Sequence, residues 1–194
     1  MTAAAREGID PAVAAPPALG GGAAERLRAA IRDVPDFPRP GIVFRDLTPA
    51  LADAALLREL VGELARPWNG RGVTHVAAIE ARGFLLAGGV ADRLGAGVVP
   101  LRKPGKLPRA RRRVDYDLEY GVDALEAHAD ALGAGDAVLV LDDVLATGGT
   151  ARAAIDLVQG TGSRLVGAAF LVELAFLAGR NRLGDADVHV VLTL

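Results

Sequence analysis

The stretch VLVLDDVLATGGTARAA, residues 138–154, does most to limit what this chain can fold into. It runs from unbroken apolar residues through two acids and a glycine turn into the start of a helical pattern. An apolar run without polar alternation reads as a strand buried on both faces, as in a parallel sheet covered by helices. The turn (Ala146, Thr147, Gly148, Gly149, Thr150) offers consecutive main-chain N–H groups and two hydroxyls at a helix start. Such turns attract anions, so this one is a cradle for a phosphate monoester. It is not a P-loop of the nucleoside-triphosphate kind, because the Lys-Ser/Thr pair is missing. Asp142 and Asp143 at its lip must bind something other than phosphate, and vicinal sugar hydroxyls are natural donors to paired carboxylates. Phosphate on one side and hydroxyls on the other describe a ribose 5-phosphate.

The rest of the chain alternates in the same way. Apolar spacing predicts helices over 24–34, 52–68, 83–95 and 148–160, and strands over 73–80, 97–102, 137–144, 165–174 and 187–194. Helix 83–95 is expected to approach the sheet through Gly88 and Gly89. Residues 35–49, with four prolines and a glycine, read as an ordered loop or a short extended piece. Residues 103–121 show no apolar period and read as a long excursion, with 103–118 expected to be a mobile lid. The fold class is therefore α/β, a central, mostly parallel sheet flanked by helices. Ligands of such sheets bind beyond the strands' carboxyl ends. Asp142 with Asp143, Glu80-Ala81-Arg82, and Arg102-Lys103 lie at three such ends and are expected to share one crevice.

A length of 194 residues, 51% of them hydrophobic, suits one domain over 25–194. Residues 1–24, rich in Ala, Pro and Gly, read as a flexible, disordered leader. They lack the basic-then-apolar plan of a secretory signal, and no apolar stretch is long enough to span a bilayer, so no membrane partner and a cytoplasmic location are expected. The chain has no cysteine, and His75, His128 and His189 lack ligand spacing, which removes thiolate and zinc chemistry. A net charge of −2 argues against a general nucleic-acid binder. Charge is nonetheless uneven: no acid occurs from Arg93 to Val114, a span with eight cations. Both of the chain's lysines, Lys103 and Lys106, fall there, and both tyrosines, Tyr116 and Tyr120, lie on the excursion. A lysine is a mobile point charge, suited to a diphosphate that must be gripped and released. The run RARRR (109–113) reads either as a solvated face or as a patch recruiting an anionic substrate.

VLVLDDVLATGGT resembles the phosphoribosyl diphosphate-binding signature of the type I phosphoribosyltransferases. DFPRPGIVFRDLTP (36–49), EARGFL (80–85), LRKPGKLP (101–108) and YDLEYG (116–121) are similar to segments of the adenine-specific branch, in the same order, so that the resemblance spans about residues 25–175. It implies the type I fold with a small N-terminal hood segment and a flexible catalytic loop. It also implies the conversion of adenine and 5-phosphoribosyl 1-diphosphate to AMP and diphosphate, with Mg2+ carried by the diphosphate and no direct protein ligand to the metal. A homodimer is implied as well. Under this resemblance Asp142 and Asp143 hold the ribose hydroxyls, and Ala146, Thr147, Gly148, Gly149 and Thr150 hold the 5-phosphate. Ala81 and Arg82 form the diphosphate turn, whose peptide bond is often cis in the family, with Arg82 also counted as catalytic. Arg102, Lys103 and Lys106 contact the diphosphate. Phe44 stacks on the purine while main-chain groups of Val43 and Arg45 read its edge. Glu119 is the general acid/base and Tyr120 its neighbour in the closing loop.

The chemistry suits these parts. Displacing diphosphate from the anomeric carbon builds positive charge on the ribose and negative charge on the leaving group, which preorganised cations stabilise. Three other readings stay open at this stage. A regulator sensing phosphoribosyl diphosphate needs a DNA-binding module, for which residues 1–34 offer one helix. An enzyme for a 6-oxopurine wants a lysine near the strand after the phosphate loop, and none follows Lys106. A binding module without turnover would be indifferent to substitutions at Glu119. No counterpart in the family core is expected for residues before 24, nor a short tail beyond VHVVLTL of the kind that many members carry.

Overall fold

The computed structural model of the chain describes residues 22–118 and 121–194. The apolar run of the opening stretch is strand β7 (Ala137–Leu145), the middle of a five-stranded sheet. On one side it pairs with β3 (His75–Ile79), which pairs with β4 (Gly97–Leu101) at the edge. On the other it pairs with β8 (Arg164–Glu173), followed by β9 (Val188–Thr193). Every pairing is parallel, so the strands' carboxyl ends share one edge.

The lack of polar alternation in β7 follows from helices on both faces. Leu139 and Leu141 enter one core with α1 (Ala23–Ala30), α3 (Ala54–Ala65) and α4 (Gly83–Leu94). Val138 and Val140 point the other way, into a core with α5 (Gly149–Gln159). Successive side chains of a strand alternate faces, so a strand between two cores must be apolar at every position. The Gly88-Gly89 expectation is corrected in its partner: a Cβ on Gly89 would lie 3.0 Å from Val61 of α3, and one on Gly88 would touch nothing. Gly83 is the glycine that meets the sheet, 3.0 Å from the Leu141 carbonyl by the same construction.

Two antiparallel ribbons lie outside the sheet, and periodicity foretold neither. The first helix stops at Ala30, short of the expected 34, because β1 (Arg32–Pro35) pairs with β2 (Val43–Asp46). A short helix α2 (Thr48–Ala52) then precedes α3. The excursion is irregular only to about residue 110. From there β5 (Arg111–Leu118) pairs with β6 (Gly121–His128), Tyr116 lying opposite Asp123. This ribbon packs on α5 through Tyr116, Leu125 and Ala127. Two main-chain hydrogen bonds between Arg102 and Glu126, 2.8 and 2.7 Å, stitch it to the end of β4.

Candidate active site

Asp142 and Asp143 occupy the carboxyl-terminal part of β7, and Asp142 lines a pocket that continues along residues 144–148 to Thr150. The main chain between them and α5 is held by contact rather than by side chains. Gly148 takes φ +81°, which L side chains rarely adopt. A Cβ there would fall 2.2 Å from the Gly179 carbonyl, and one on Gly179 would fall 2.0 Å from that of Ala146. The segment after β8 therefore backs the turn, glycine against glycine. No side chain caps α5 and no acid lies in its first turn, so its leading N–H groups remain free for an anion.

The acids are unequal. Burial first, and then the neighbouring Asp143 charge, push the Asp142 carboxyl well above the usual carboxylate range. Burial also raises Asp143, against the opposing pull of Arg82. Arg82 Nε stands 2.6 Å from Asp143 Oδ2, close enough for an ion pair, yet no N–H is aligned on that buried oxygen for a hydrogen bond. A hydroxyl donor from a ligand would satisfy it.

Across the crevice, Glu80 directly follows β3, and the Glu80–Ala81 peptide bond is cis, as the resemblance implied. Sequence reasoning placed Glu80 at a strand end of the crevice but gave it no role. Its Oε2 accepts from Arg102 Nε at 3.0 Å and from the Lys103 N–H at 2.8 Å, while Oε1 accepts from Lys106 Nζ. Burial alone would raise this carboxyl, but those three hydrogen bonds outweigh it and hold it down at about 2. The Lys103 ammonium reaches Asp123 Oδ2 and the Tyr116 hydroxyl, each at 2.5 Å, and Thr150 Oγ1 donates to the same hydroxyl at 3.2 Å. Asp123 and the bond of Tyr116 to the phosphate loop were also missed. The hairpin register that brings them together is a tertiary fact, although the span of cations without acids was a signal that counter-ions must come from elsewhere. The 109–113 run is no bare positive patch: Arg109 pairs with Asp130, Arg111 with buried Glu126, and Arg113 with Asp115.

The β1–β2 ribbon joins this crevice through Arg82, whose guanidinium lies 5.3 Å from the Phe44 ring centre on one side and meets Asp143 on the other. Phe37 packs edge-on against Phe44, and Arg45 pairs with Asp33. Pro35 faces Val43 and has no N–H to give its carbonyl. The structure thus brings Phe44, Arg82, Asp142, Asp143 and the phosphate loop to one edge, with Arg102, Lys103 and Lys106 across from them. Glu119 and Tyr120 lie outside the described residues, as do residues 1–21 of the leader.

Residues 47–191 match the model of the phosphoribosyl transferase domain. The chain is 55% identical over 171 residues to the adenine phosphoribosyltransferase of Frankia casuarinae, covering 88% of this chain and 91% of that one. Its fold superposes on the crystal structure of adenine phosphoribosyltransferase from Rhodothermus marinus with a TM-score of 0.85 at 52% identity, covering 89% and 98% of the two chains. Against the Saccharomyces cerevisiae enzyme, solved with an imino-altritol bisphosphate and adenine, the TM-score is 0.83 at 37% identity, covering 88% and 98%.

Proposed function

The chain belongs to the phosphoribosyl transferase domain family, and from that premise we infer how its residues divide the reaction. It transfers the 5-phosphoribosyl group from 5-phosphoribosyl 1-diphosphate to adenine, giving AMP and diphosphate, a step of purine salvage. Asp142 and Asp143 receive the ribose hydroxyls, and residues 146–150 receive the 5-phosphate on the uncapped start of α5. Bound hydroxyls give the poorly satisfied Asp143 oxygen a donor, so substrate relieves a cost built into the empty site.

The bond from the anomeric carbon to the diphosphate oxygen breaks as adenine N9 bonds to that carbon, and the N9 proton passes to Glu119. The turn at Ala81 and Arg82, with Arg102, Lys103 and Lys106, takes the leaving diphosphate. Magnesium fits as an ion arriving on the diphosphate, where it would neutralise leaving-group charge; Glu80, the carboxylate among these cations, already has three donors. Phe44 stacks on adenine, and the Val43 carbonyl, which Pro35 cannot bond, reads its edge with Arg45. A 6-oxopurine is disfavoured because no lysine follows Lys106 to donate to its O6, and β8 ends instead in Glu173, an acceptor held by Arg180 at 3.0 and 2.6 Å.

We further propose a homodimer, to which the exposed Leu85 of α4 and Val98 of β4 are candidate contacts, and a cytoplasmic location. Among the described residues no helix is long and apolar enough to cross a membrane.

One observation supports this division most: two buried acids and an uncapped helix start face a cluster of cations across one crevice. The test is diphosphate release with adenine, hypoxanthine, guanine and uracil as acceptors. Adenine alone is expected to serve, and Glu119→Gln and Glu119→Leu to lower turnover by ~10²–10⁴-fold. Equal rates with hypoxanthine, or turnover indifferent to both substitutions, would reject the assignment.

A further inference from the structure

Glu80 sits where the diphosphate is expected, and the groups that should hold the diphosphate are already holding Glu80. Its side chain is only a tenth exposed, and its N–H is fixed to the Leu101 carbonyl at 2.9 Å. The two carboxylate oxygens have different partners. Oε2 is engaged by Arg102 and by a main-chain N–H, both at the stitched end of β4, and so shapes the chain entering the cation segment. Oε1 is engaged by Lys106, a half-exposed side chain beyond the turn at Gly105. A phosphoryl group with more charge than one carboxylate takes such an ammonium from it, and the carboxylate takes it back when the anion leaves.

We propose that Glu80 is a positioning residue that stands in for the diphosphate: Oε2 keeps the 102–103 turn in shape, while Oε1 retakes Lys106 as the leaving group departs, hastening its release. This rests on the assignment of Lys106 to the diphosphate subsite made above. Affinity for diphosphate is thereby held below what three cations would provide, and turnover gains from faster release.

The probe is inorganic pyrophosphate with magnesium, titrated calorimetrically into the full chain and into Glu80→Gln, Lys106→Ala and the double variant. Gln keeps an oxygen for the Lys103 N–H and removes the charge that competes for Lys106. Glu80→Gln is expected to bind pyrophosphate about tenfold tighter, with slower dissociation and a fall in both kcat and the KM for phosphoribosyl diphosphate. In the Lys106→Ala background the tightening should shrink to within about twofold, the mark of a coupled pair. Weaker or unchanged binding in Glu80→Gln, with Lys106→Ala still harmful, overturns the proposal and leaves the diphosphate assignment standing. Lys106→Ala without effect in either background removes the assignment and the proposal together. Should Glu80→Gln not fold, a crystal of the unaltered chain with pyrophosphate decides. Lys106 Nζ on a phosphoryl oxygen and away from Glu80 supports the exchange, and Lys106 still on Glu80 overturns it.

Discussion

Along residues 142–150 the crevice is walled by main chain: Gly148 against Gly179, an uncapped helix start, and two acids pressed into the protein. Along residues 80, 102–106, 111–118 and 121–126 it is walled by ion pairs, with Arg102, Lys103, Lys106 and Arg111 each matched to an acid distant in sequence. The first wall cannot yield without van der Waals overlap, so it is suited to a group that stays bound through the reaction, the 5-phosphate. The second wall can exchange one anion for another at little steric cost, so it is suited to a group that arrives and leaves. Rigidity and exchange are thus separated across one crevice.

The comparison is broken most directly at Gly148. Gly148→Ala puts a methyl into the Gly179 carbonyl and strains the turn; we expect a loss of about 3 kcal/mol in thermal unfolding and at least ~100-fold in kcat/KM. A near-neutral result would show that this wall is soft. On the other wall, Arg111→Ala removes one partner of Glu126, which is 1% exposed and keeps the Gly105 N–H at 3.1 Å. Stability should fall by about 1–2 kcal/mol, with the KM for phosphoribosyl diphosphate rising more than kcat falls.

The two walls should also respond to acid with opposite signs. Asp142 has a raised value in the fold, so the ligand-free protein loses stability as pH climbs from about 3.8 through that raised value. Asp142→Asn should erase this limb, adding about 1 kcal/mol at neutral pH, a few degrees in melting temperature, while weakening AMP binding. Glu80 is held at about 2 against an ordinary 4.5, so its contribution is complete above 4.5 and is lost as pH falls toward 2. Glu80→Gln should flatten that second limb and leave the first in place. Melting curves across pH 2–7 check both. The smallest effect is expected at Arg109, whose pairing with Asp130 is exposed on both sides: Arg109→Ala should leave melting temperature and kcat unchanged.

Most of the sheet was legible because its information is local. An apolar run, an acid pair and a glycine turn follow one another from Val138 to Thr150, and a strand–turn–helix needs no distant partner to be recognised. The phosphate cradle was legible for the same reason. The ribbons were not: β1–β2 and β5–β6 are made by pairing, and the short alternation of Val114, Tyr116 and Leu118 in β5 was passed over because the charged residues before it show none. Val34 kept the helical spacing yet sits opposite Phe44 in a strand. Gly179 could not be read as part of the cradle, because its role is a contact with Gly148 that exists only once β8 lies beside β7. Tyr116 stood out by composition alone, and its bonds to Lys103 and Thr150 required the ribbon to dock on α5.

By itself, then, the sequence determined that helices cover a buried parallel sheet on both faces, and that an acid pair and a glycine turn, suited to a sugar and an anion, precede α5. These follow from side-chain period and main-chain donors, which are properties of consecutive residues. Only the tertiary structure decided which acid answers which cation, that Glu80 engages Arg102, Lys103 and Lys106 together, and that one glycine must face another. Charge pairing and steric fit act through space at a few ångströms, and residues 20 or 30 apart in the chain reach that distance only when the fold has closed.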